Sequence, residues 1–243
     1  MRNEALKASG NTSQDYDKYF ESIHKCARHY ARSVYRAEKA IELLRADRGC
    51  VLSVGVGSLG EARKLKEAGF EVTICDISPL AIQFAKKENF KAFECDIAKN
   101  PPGGEYDYIF ALEVLEHLVN PLAAIRNLIV VLKDSGTMVI SLPNEFNIWA
   151  RLMMLIGRPP FGGHDWHHLR FFNREFGGKL FAEAGLKILR KTYCPLMPLQ
   201  WSRRCGELLQ SIRPSLFSLT TIWVLEPKLD FQTGGGGRGI SKK

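Results

Sequence analysis

The chain has 243 residues, 45% of them hydrophobic, and a formal net charge of +8, which together exclude a globally disordered protein. The longest apolar runs, at residues 128–132 and 152–156, are far shorter than the roughly 20 residues that cross a bilayer, and the charged N-terminus lacks the apolar segment of a secretory signal, so we expect a cytoplasmic protein. The positive charge is compatible with an anionic partner or peripheral membrane contact, but nucleic acid is not favoured because no finger, RNP-like or helix-turn-helix signature is present.

The N-terminal region carries a helical pattern. Apolar or small residues recur at spacings of four and three from Tyr16 to Leu44. One continuous helix over this segment would be about 45 Å long, which exceeds the width of a domain of this size. We therefore predict two helices and assign residues 1–48 to an N-terminal helical extension that packs on the core.

Strand and helix patterns alternate after Gly49. The predicted strands are residues 51–54, 72–75, 92–95, 106–112 and 137–142, and the predicted helices between them are residues 61–68, 79–88 and 121–132. Such alternation is typical of a doubly wound, Rossmann-like α/β domain with a mostly parallel sheet and helices on both faces.

The C-terminal part is less regular. It predicts helices at residues 145–157, 173–185 and 199–212 and strands at 186–193 and 216–224. We assign residues 49–231 to the main domain, with an insertion at 145–172. The glycine-rich tail, residues 232–243, has nothing to bury and is predicted to be disordered.

A glycine-rich loop joins the first strand of the main domain to the helix that follows. Gly55, Gly57 and Gly60 occupy this loop, directly after Val54. Glycines allow a sharp turn and close approach of a ligand, and a helix start offers unpaired N–H groups. The loop therefore predicts a nucleotide-like cofactor, although domains that bind NAD, FAD and S-adenosylmethionine all use variants of it.

Two acidic residues follow neighbouring strands. Asp76 ends the second predicted strand and Asp96 the third. Ligands of open parallel sheets bind beyond the carboxyl ends of the strands, so Asp76 is placed to accept the hydroxyls of a ribose. Asp96 is interpreted either as an adenine contact or as a cap of the next segment.

Taken together, five blocks in this order resemble the class I S-adenosylmethionine-dependent methyltransferases, and in particular the ubiquinone-biosynthesis O-methyltransferase-like group. The blocks are residues 51–57, 75–79, 95–97, 106–117 and 141–144. The resemblance implies a seven-stranded sheet with an antiparallel last strand and S-adenosylmethionine as cofactor. The cofactor-binding residues that it implies are Val54, Gly55, Gly57, Gly60, Asp76, Ile77, Asp96, Ile97 and Leu112, with the methionine end at the glycine loop and the sulfonium near Leu112.

The chain departs from this family pattern at two positions. Most relatives carry an acidic residue where this chain has Ser53, and the third glycine, Gly60, comes one residue later than usual. An acid at the first position helps to organise the loop and the cationic end of the cofactor. Without it, we expect the cofactor to bind less tightly.

Two segments are candidates for the reacting side of the site. Glu113 and His117 lie in a Glu-x-x-Glu-His sequence, and His164 and His167 lie in a histidine-rich stretch. A histidine of near-neutral pKa suits removal of a proton from an acceptor. The Glu-x-x-Glu-His sequence resembles a segment associated with a divalent cation in some relatives, but a cation is not favoured and no metal ligand is assigned.

The sequence thus predicts a methyltransferase that modifies an oxygen of a small-molecule or lipid- or saccharide-linked acceptor. A nicotinamide-dependent oxidoreductase is the enzymatic alternative, but it leaves residues 112–117 without a role. A non-catalytic cofactor-binding scaffold is the other alternative, and Ser53 is the feature that favours it.

Overall fold

The computed structural model describes residues 13–158, 168–196 and 203–228. The helices are α1 (Ser13–Ile23), α2 (Ala27–Leu44), α3 (Gly60–Glu67), α4 (Pro79–Lys87), α5 (Pro121–Val130), α6 (Ile148–Leu155), α7 (Arg174–Glu183), α8 (Arg203–Ile212) and α9 (Pro214–Phe217), with a short 3-10 helix at Leu115–His117. The strands are β1 (Cys50–Val54), β2 (Glu71–Asp76), β3 (Lys91–Glu94), β4 (Tyr106–Leu112), β5 (Leu132–Pro143), β6 (Leu186–Pro195) and β7 (Ser218–Pro227). The predicted tail at 232–243 lies outside the described residues.

The seven strands form one sheet in the order β3-β2-β1-β4-β5-β7-β6. Strand β7 runs antiparallel to both of its neighbours, and the pairs among β1 to β5 are parallel. This confirms the predicted doubly wound sheet with an antiparallel last strand. The chain order reverses direction at β1 and β4, and the carboxyl ends of these strands therefore border the crevice where ligands bind in such sheets.

Side-chain caps fix the starts of several helices. Ser78, Asn120 and Asn173 each accept a hydrogen bond from the backbone N–H three residues later, and a proline follows the first two at the first helical position. Both features were predicted from the sequence. Because these signals are local, the helix starts at residues 79, 121 and 174 follow from sequence alone.

Several boundaries differ from the prediction, and two of these differences have a structural reason. Strand β5 begins at Leu132 instead of residue 137, because Leu132 pairs with Tyr106 ahead of a register shift in β4. The last strand begins at Ser218 instead of residue 216, because the short helix α9 starts at Pro214. The predicted break in the N-terminal helical segment is confirmed, since α1 ends at Ile23 and α2 begins at Ala27.

An apolar core lies on each face of the sheet. Along β4, Ile109 and Ala111 belong to one buried cluster, whereas Phe110 and Leu112 belong to the other. This alternation follows from the two-residue period of a strand. Helix α2 closes the second face through fully buried Ala40, and no helix of the described residues is long and apolar enough to cross a membrane.

Candidate active site

A cavity of about 1070 Å³ opens at the carboxyl ends of β1, β2 and β4. Ligand pockets commonly measure about 300–1000 Å³, so this volume can hold a nucleoside cofactor and a second molecule. All but one of the predicted cofactor residues line it: Val54, Gly55, Gly57, Asp76, Ile77, Asp96, Ile97 and Leu112. Glu113 and His117, predicted for the reacting side, line the same cavity.

The glycine loop needs glycine at two positions for its backbone conformation. Gly55 and Gly57 have φ angles of +89° and +48°, in the left-handed region that residues with a Cβ rarely adopt. The Gly55 N–H donates to the Cys75 carbonyl at 2.7 Å, which ties the loop to β2. A Cβ on Gly57 would meet no atom within 4 Å, so the loop presents open backbone.

The shifted third glycine has a structural reason. Leu59 takes the left-handed conformation (φ +60°) directly before α3, and its side chain is buried. Gly60 faces α2 instead of the cavity, where a Cβ would lie 3.1 Å from the Ser33 hydroxyl. The structure thus gives Gly60 a packing position, and no cavity-lining atom comes from it.

Asp76 organises the loop as well as facing the cavity. One carboxylate oxygen accepts the Val56 N–H at 2.7 Å, and the other accepts the Ser78 N–H at 2.9 Å. Burial raises the pKa of Asp76, and these backbone hydrogen bonds act against that rise. Each oxygen retains further acceptor capacity, which ribose hydroxyls can use.

Asp96 makes contacts within its own segment. Its carboxylate accepts the Ala98 N–H at 3.1 Å and pairs with Lys99 at 2.8 Å. Asp96 therefore caps the segment that follows it, as one of the two interpretations predicted. It also lines the cavity beside Ile97. Its role as an adenine contact stays a prediction.

The Ser53 hydroxyl binds an acidic side chain, Glu61, that was not predicted from the sequence as part of the site. The Ser53 hydroxyl donates to the Glu61 carboxylate at 2.9 Å, and Glu61 lines the cavity from the first turn of α3. Burial raises the pKa of Glu61 to about 7, while the Ser53 hydrogen bond and the Arg36 guanidinium act in the opposite direction. A carboxylate is therefore present beside the loop although residue 53 itself is not acidic.

The N-terminal helices cover the cavity. Tyr16, Tyr19 and Phe20 of α1 line it, and α2 adds Ser33 and Arg36. The Arg36 Nε is buried without a hydrogen-bond partner among the described residues. These helices therefore complete the pocket instead of only packing on the domain.

Glu113 has a strained backbone and fixed side-chain contacts. Its φ is +59°, which costs roughly 1–3 kcal/mol for a residue other than glycine. The Ser141 hydroxyl accepts the Glu113 N–H and donates to its carboxylate, both at 3.0 Å. These contacts hold the turn after β4 in place at the edge of the cavity.

A buried acid and two imidazoles lie next to this turn. Ligand atoms of Glu116, His117 and His168 lie within 4.8 Å of one another. Glu116 is fully buried, and neither of its carboxylate oxygens has a hydrogen-bond partner within the described parts of the chain. Burial raises its pKa well above the usual range, and the negative charge of Glu113 raises it further.

His168 is held by a second acid. Its Nδ1 lies 2.6 Å from the Glu145 carboxylate, and both side chains are largely buried at the cavity wall. A carboxylate bonded to Nδ1 makes Nε2 the basic nitrogen of the ring. The predicted His164 and His167 lie outside the described residues.

Several residues of the cavity were not predicted from the sequence, and they differ in how clearly the sequence marks them. Glu61 and Arg36 sit at ordinary helical positions, and only their neighbours across the fold mark them as unusual. His168 was part of the histidine-rich stretch, so sequence pointed to the region but not to the ring that pairs with Glu145. Tyr16 was assigned only to the apolar face of a helix.

The sheet order, the glycine loop after β1 and the acid after β2 define the class I S-adenosylmethionine-dependent methyltransferase fold. A methyltransferase-domain family model matches residues 23–191, which is more than half of the chain. The chain belongs to this methyltransferase family, and it is an enzyme that uses S-adenosylmethionine. Neither the oxidoreductase nor the scaffold alternative is supported.

Individual relatives agree with this assignment. The chain is 26% identical over 163 residues to a ubiquinone biosynthesis O-methyltransferase of Nitrosospira multiformis, covering 60% of this chain and 67% of the relative. It is 28% identical over 181 residues to the protein of the same name in Parvibaculum lavamentivorans, covering 69% of each chain. A solved SAM-dependent methyltransferase from Archaeoglobus fulgidus superposes with a TM-score of 0.61 at 17% identity, over 86% of this chain and 98% of that one, which shows the shared fold.

Proposed function

We propose that this enzyme transfers the methyl group of S-adenosylmethionine to a hydroxyl oxygen of a small-molecule acceptor. The observation that carries the proposal is the 2.6 Å contact between His168 Nδ1 and Glu145 in the wall of the cofactor cavity. An imidazole oriented in this way can take the proton of a hydroxyl as its oxygen attacks the methyl carbon. The names of the relatives, ubiquinone biosynthesis O-methyltransferases, support an oxygen acceptor.

The remaining work of the protein is positioning. Methyl transfer is an in-line displacement at a sulfonium that is already reactive, so catalysis requires the acceptor oxygen to lie close to the methyl group. The loop at Gly55 and Gly57 and the carboxylate of Asp76 are proposed to fix the cofactor. Arg36, whose buried Nε has no hydrogen-bond partner among the described residues, is proposed to bind the carboxylate at the methionine end of the cofactor.

The acceptor is proposed to carry an apolar group. Trp149 lines the cavity and is 59% exposed, and α6 continues with Leu155 at 81% and Ile156 next to the helix at 61% exposure. An exposed apolar helix that continues from a cavity-lining residue suits a hydrophobic or lipid-linked substrate. This supports a lipid-linked phenol over a saccharide.

A divalent cation is a second ligand that the cavity can accommodate. A fully buried carboxylate without hydrogen-bond partners is costly, and a cation between Glu116, His117 and His168 would offset that cost. These three side chains would be its ligands, with His168 then binding the cation instead of taking the proton, and a bound cation would lower the pKa of an acceptor hydroxyl.

The test of the acceptor class is methyl transfer from labelled S-adenosylmethionine to three matched panels: phenols and catechols, primary amines, and saccharides. We expect label in the phenol panel, with higher kcat/KM for members that carry an apolar tail. His168→Gln should lower kcat in this assay and leave the affinity for S-adenosylhomocysteine within about threefold. Labelling of amines or saccharides alone would contradict the proposal.

A further inference from the structure

Glu61 is an acid in an unusual setting. It stands in the first turn of α3, beside the glycine loop, and it lines the cofactor cavity. Its backbone N–H donates to the Ser33 hydroxyl of α2 at 3.1 Å, and its carboxylate accepts the Ser53 hydroxyl of β1 at 2.9 Å. Three elements thus fix its position.

The Glu61 carboxylate has no ion-pair partner in the part of the chain that the structure describes. Within the described residues no lysine, arginine or histidine nitrogen lies within 4.0 Å of it. Among the described residues, the guanidinium of Arg36 on α2 is the charged group that lowers the pKa of Glu61. An ionised carboxylate in such a place is stabilised mainly if a ligand brings a positive charge.

The cofactor brings such a charge. S-adenosylmethionine carries an α-ammonium group at its methionine end, and the family resemblance puts this end at Gly55 and Gly57. Ser53 stands where most relatives have an acid, and its hydroxyl instead holds the Glu61 carboxylate at the end of β1. In this chain the carboxylate that lies beside residue 53 and lines the cavity therefore belongs to the first turn of α3 and not to β1.

We propose that Glu61, held by the Ser53 hydroxyl, is the acid that binds the α-ammonium group of S-adenosylmethionine. Arg36 on the facing helix sets the other side of this subsite, so the two charges can discriminate the zwitterionic end of the cofactor. The proposal depends on the cofactor and not on the acceptor.

The experiment measures the affinity of the full chain for S-adenosylhomocysteine and for its deamino analogue, which lacks only the ammonium group, by titration calorimetry. Glu61→Gln keeps an acceptor for Ser53 but removes the charge. We expect this variant to bind S-adenosylhomocysteine about 10- to 100-fold more weakly, as for loss of a charged hydrogen bond, and the deamino analogue less than about threefold more weakly. Glu67→Gln, on the same helix but paired with Lys64 at the surface, is the matched control and should change neither affinity.

A measurement on the unaltered protein keeps the proposal falsifiable if Glu61→Gln folds poorly, and a double variant tests it further if that variant folds. In the unaltered protein the affinity for S-adenosylhomocysteine should rise between pH 6 and pH 8, while the affinity for the deamino analogue should not. The double variant Ser53→Asp with Glu61→Gln should recover at least tenfold of the lost affinity. Equal losses for both ligands would instead show that Glu61 only supports the loop, and unchanged affinity for both would overturn the proposal; neither outcome depends on which acceptor is methylated.

Discussion

The Tyr16 hydroxyl of α1 donates a hydrogen bond to the backbone carbonyl of His117 at 3.0 Å, across 101 positions of sequence. On the same helix, Asp17 accepts hydrogen bonds from the Ser78 hydroxyl and from the Leu80 N–H at 3.3 Å. Helix α1 is therefore attached to both sides of the cavity, at the turn after β4 and at the start of α4. A cofactor in the cavity would be covered by this helix.

Tyr16→Phe should weaken the attachment of α1 over the cavity. Loss of one uncharged hydrogen bond costs about 1 kcal/mol, so we expect about fivefold weaker binding of S-adenosylhomocysteine and faster amide hydrogen exchange in α1. Calorimetry and hydrogen-exchange mass spectrometry measure these effects. Ser22→Ala, which removes an exposed hydroxyl bonded only within α1, is the control and should leave the affinity unchanged. Identical exchange in the two variants would show that the Tyr16 contact does not hold α1 in place.

Asp76→Asn should destabilise the glycine loop and weaken binding of the cofactor. The N–H groups of Val56 and Ser78 bond to different carboxylate oxygens, and an amide would present its NH2 group, a donor, to one of them. We expect a loss of about 1–3 kcal/mol in unfolding free energy and about 10- to 150-fold weaker binding of S-adenosylhomocysteine. Urea unfolding and calorimetry measure the two effects separately. Asp47→Asn, at an exposed position, should change neither; retention of full affinity in Asp76→Asn would remove Asp76 from the cofactor site.

Glu61→Gln should stabilise the cofactor-free protein at neutral and alkaline pH. The folded-state pKa of Glu61 is about 7, above its ordinary value of 4.5, so the folded state binds more protons between these values and its stability falls as the pH rises through this window. Glutamine lacks this dependence, and the variant should gain up to about 3 kcal/mol over the unaltered protein between pH 4.5 and pH 8. Urea titrations at a series of pH values test this. A stability difference that does not vary with pH would show that the Glu61 carboxyl titrates normally.

Glu116→Gln should abolish stabilisation by a divalent cation. If the cluster of Glu116, His117 and His168 binds a cation, Zn²⁺ or Mg²⁺ will raise the melting temperature of the unaltered protein but not of the variant. The exposed variant Glu94→Gln controls for binding at the surface. Equal responses of all three proteins to both ions would argue against a cation at this cluster.

Leu155→Ser should affect only apolar acceptors. The side chain is 81% exposed, so its replacement should change the unfolding free energy by no more than about 0.5 kcal/mol. We expect a higher KM for a phenol with a long apolar tail and an unchanged KM for the same phenol without the tail. Val130→Ser, 65% exposed at the end of α5, is the matched control. A KM increase for both phenols alike would place Leu155 outside the path of the tail.

Local signals in the sequence were sufficient for the architecture. Alternating strand and helix patterns gave the order of elements, and Ser78, Asn120 and Asn173 marked helix starts because a cap bonds to a backbone group only three residues away. The glycine pattern identified the loop because Gly55 and Gly57 adopt backbone angles that few other residues tolerate. The resemblance to class I S-adenosylmethionine-dependent methyltransferases then identified the cofactor.

Contacts between distant segments were decided only by the tertiary structure. The sequence shows only that Ser53 stands where most relatives have an acidic residue. The way in which α3 packs against β1 places the Glu61 carboxylate beside Ser53, and this is seen only in the structure. The pairing of Glu145 with His168, across 23 positions, likewise depends on how the chain after β5 returns to the sheet. Periodicity and capping are properties of neighbouring residues, whereas the position of a charge in a cavity depends on how separate helices and strands pack, and a single sequence does not encode that in any local pattern.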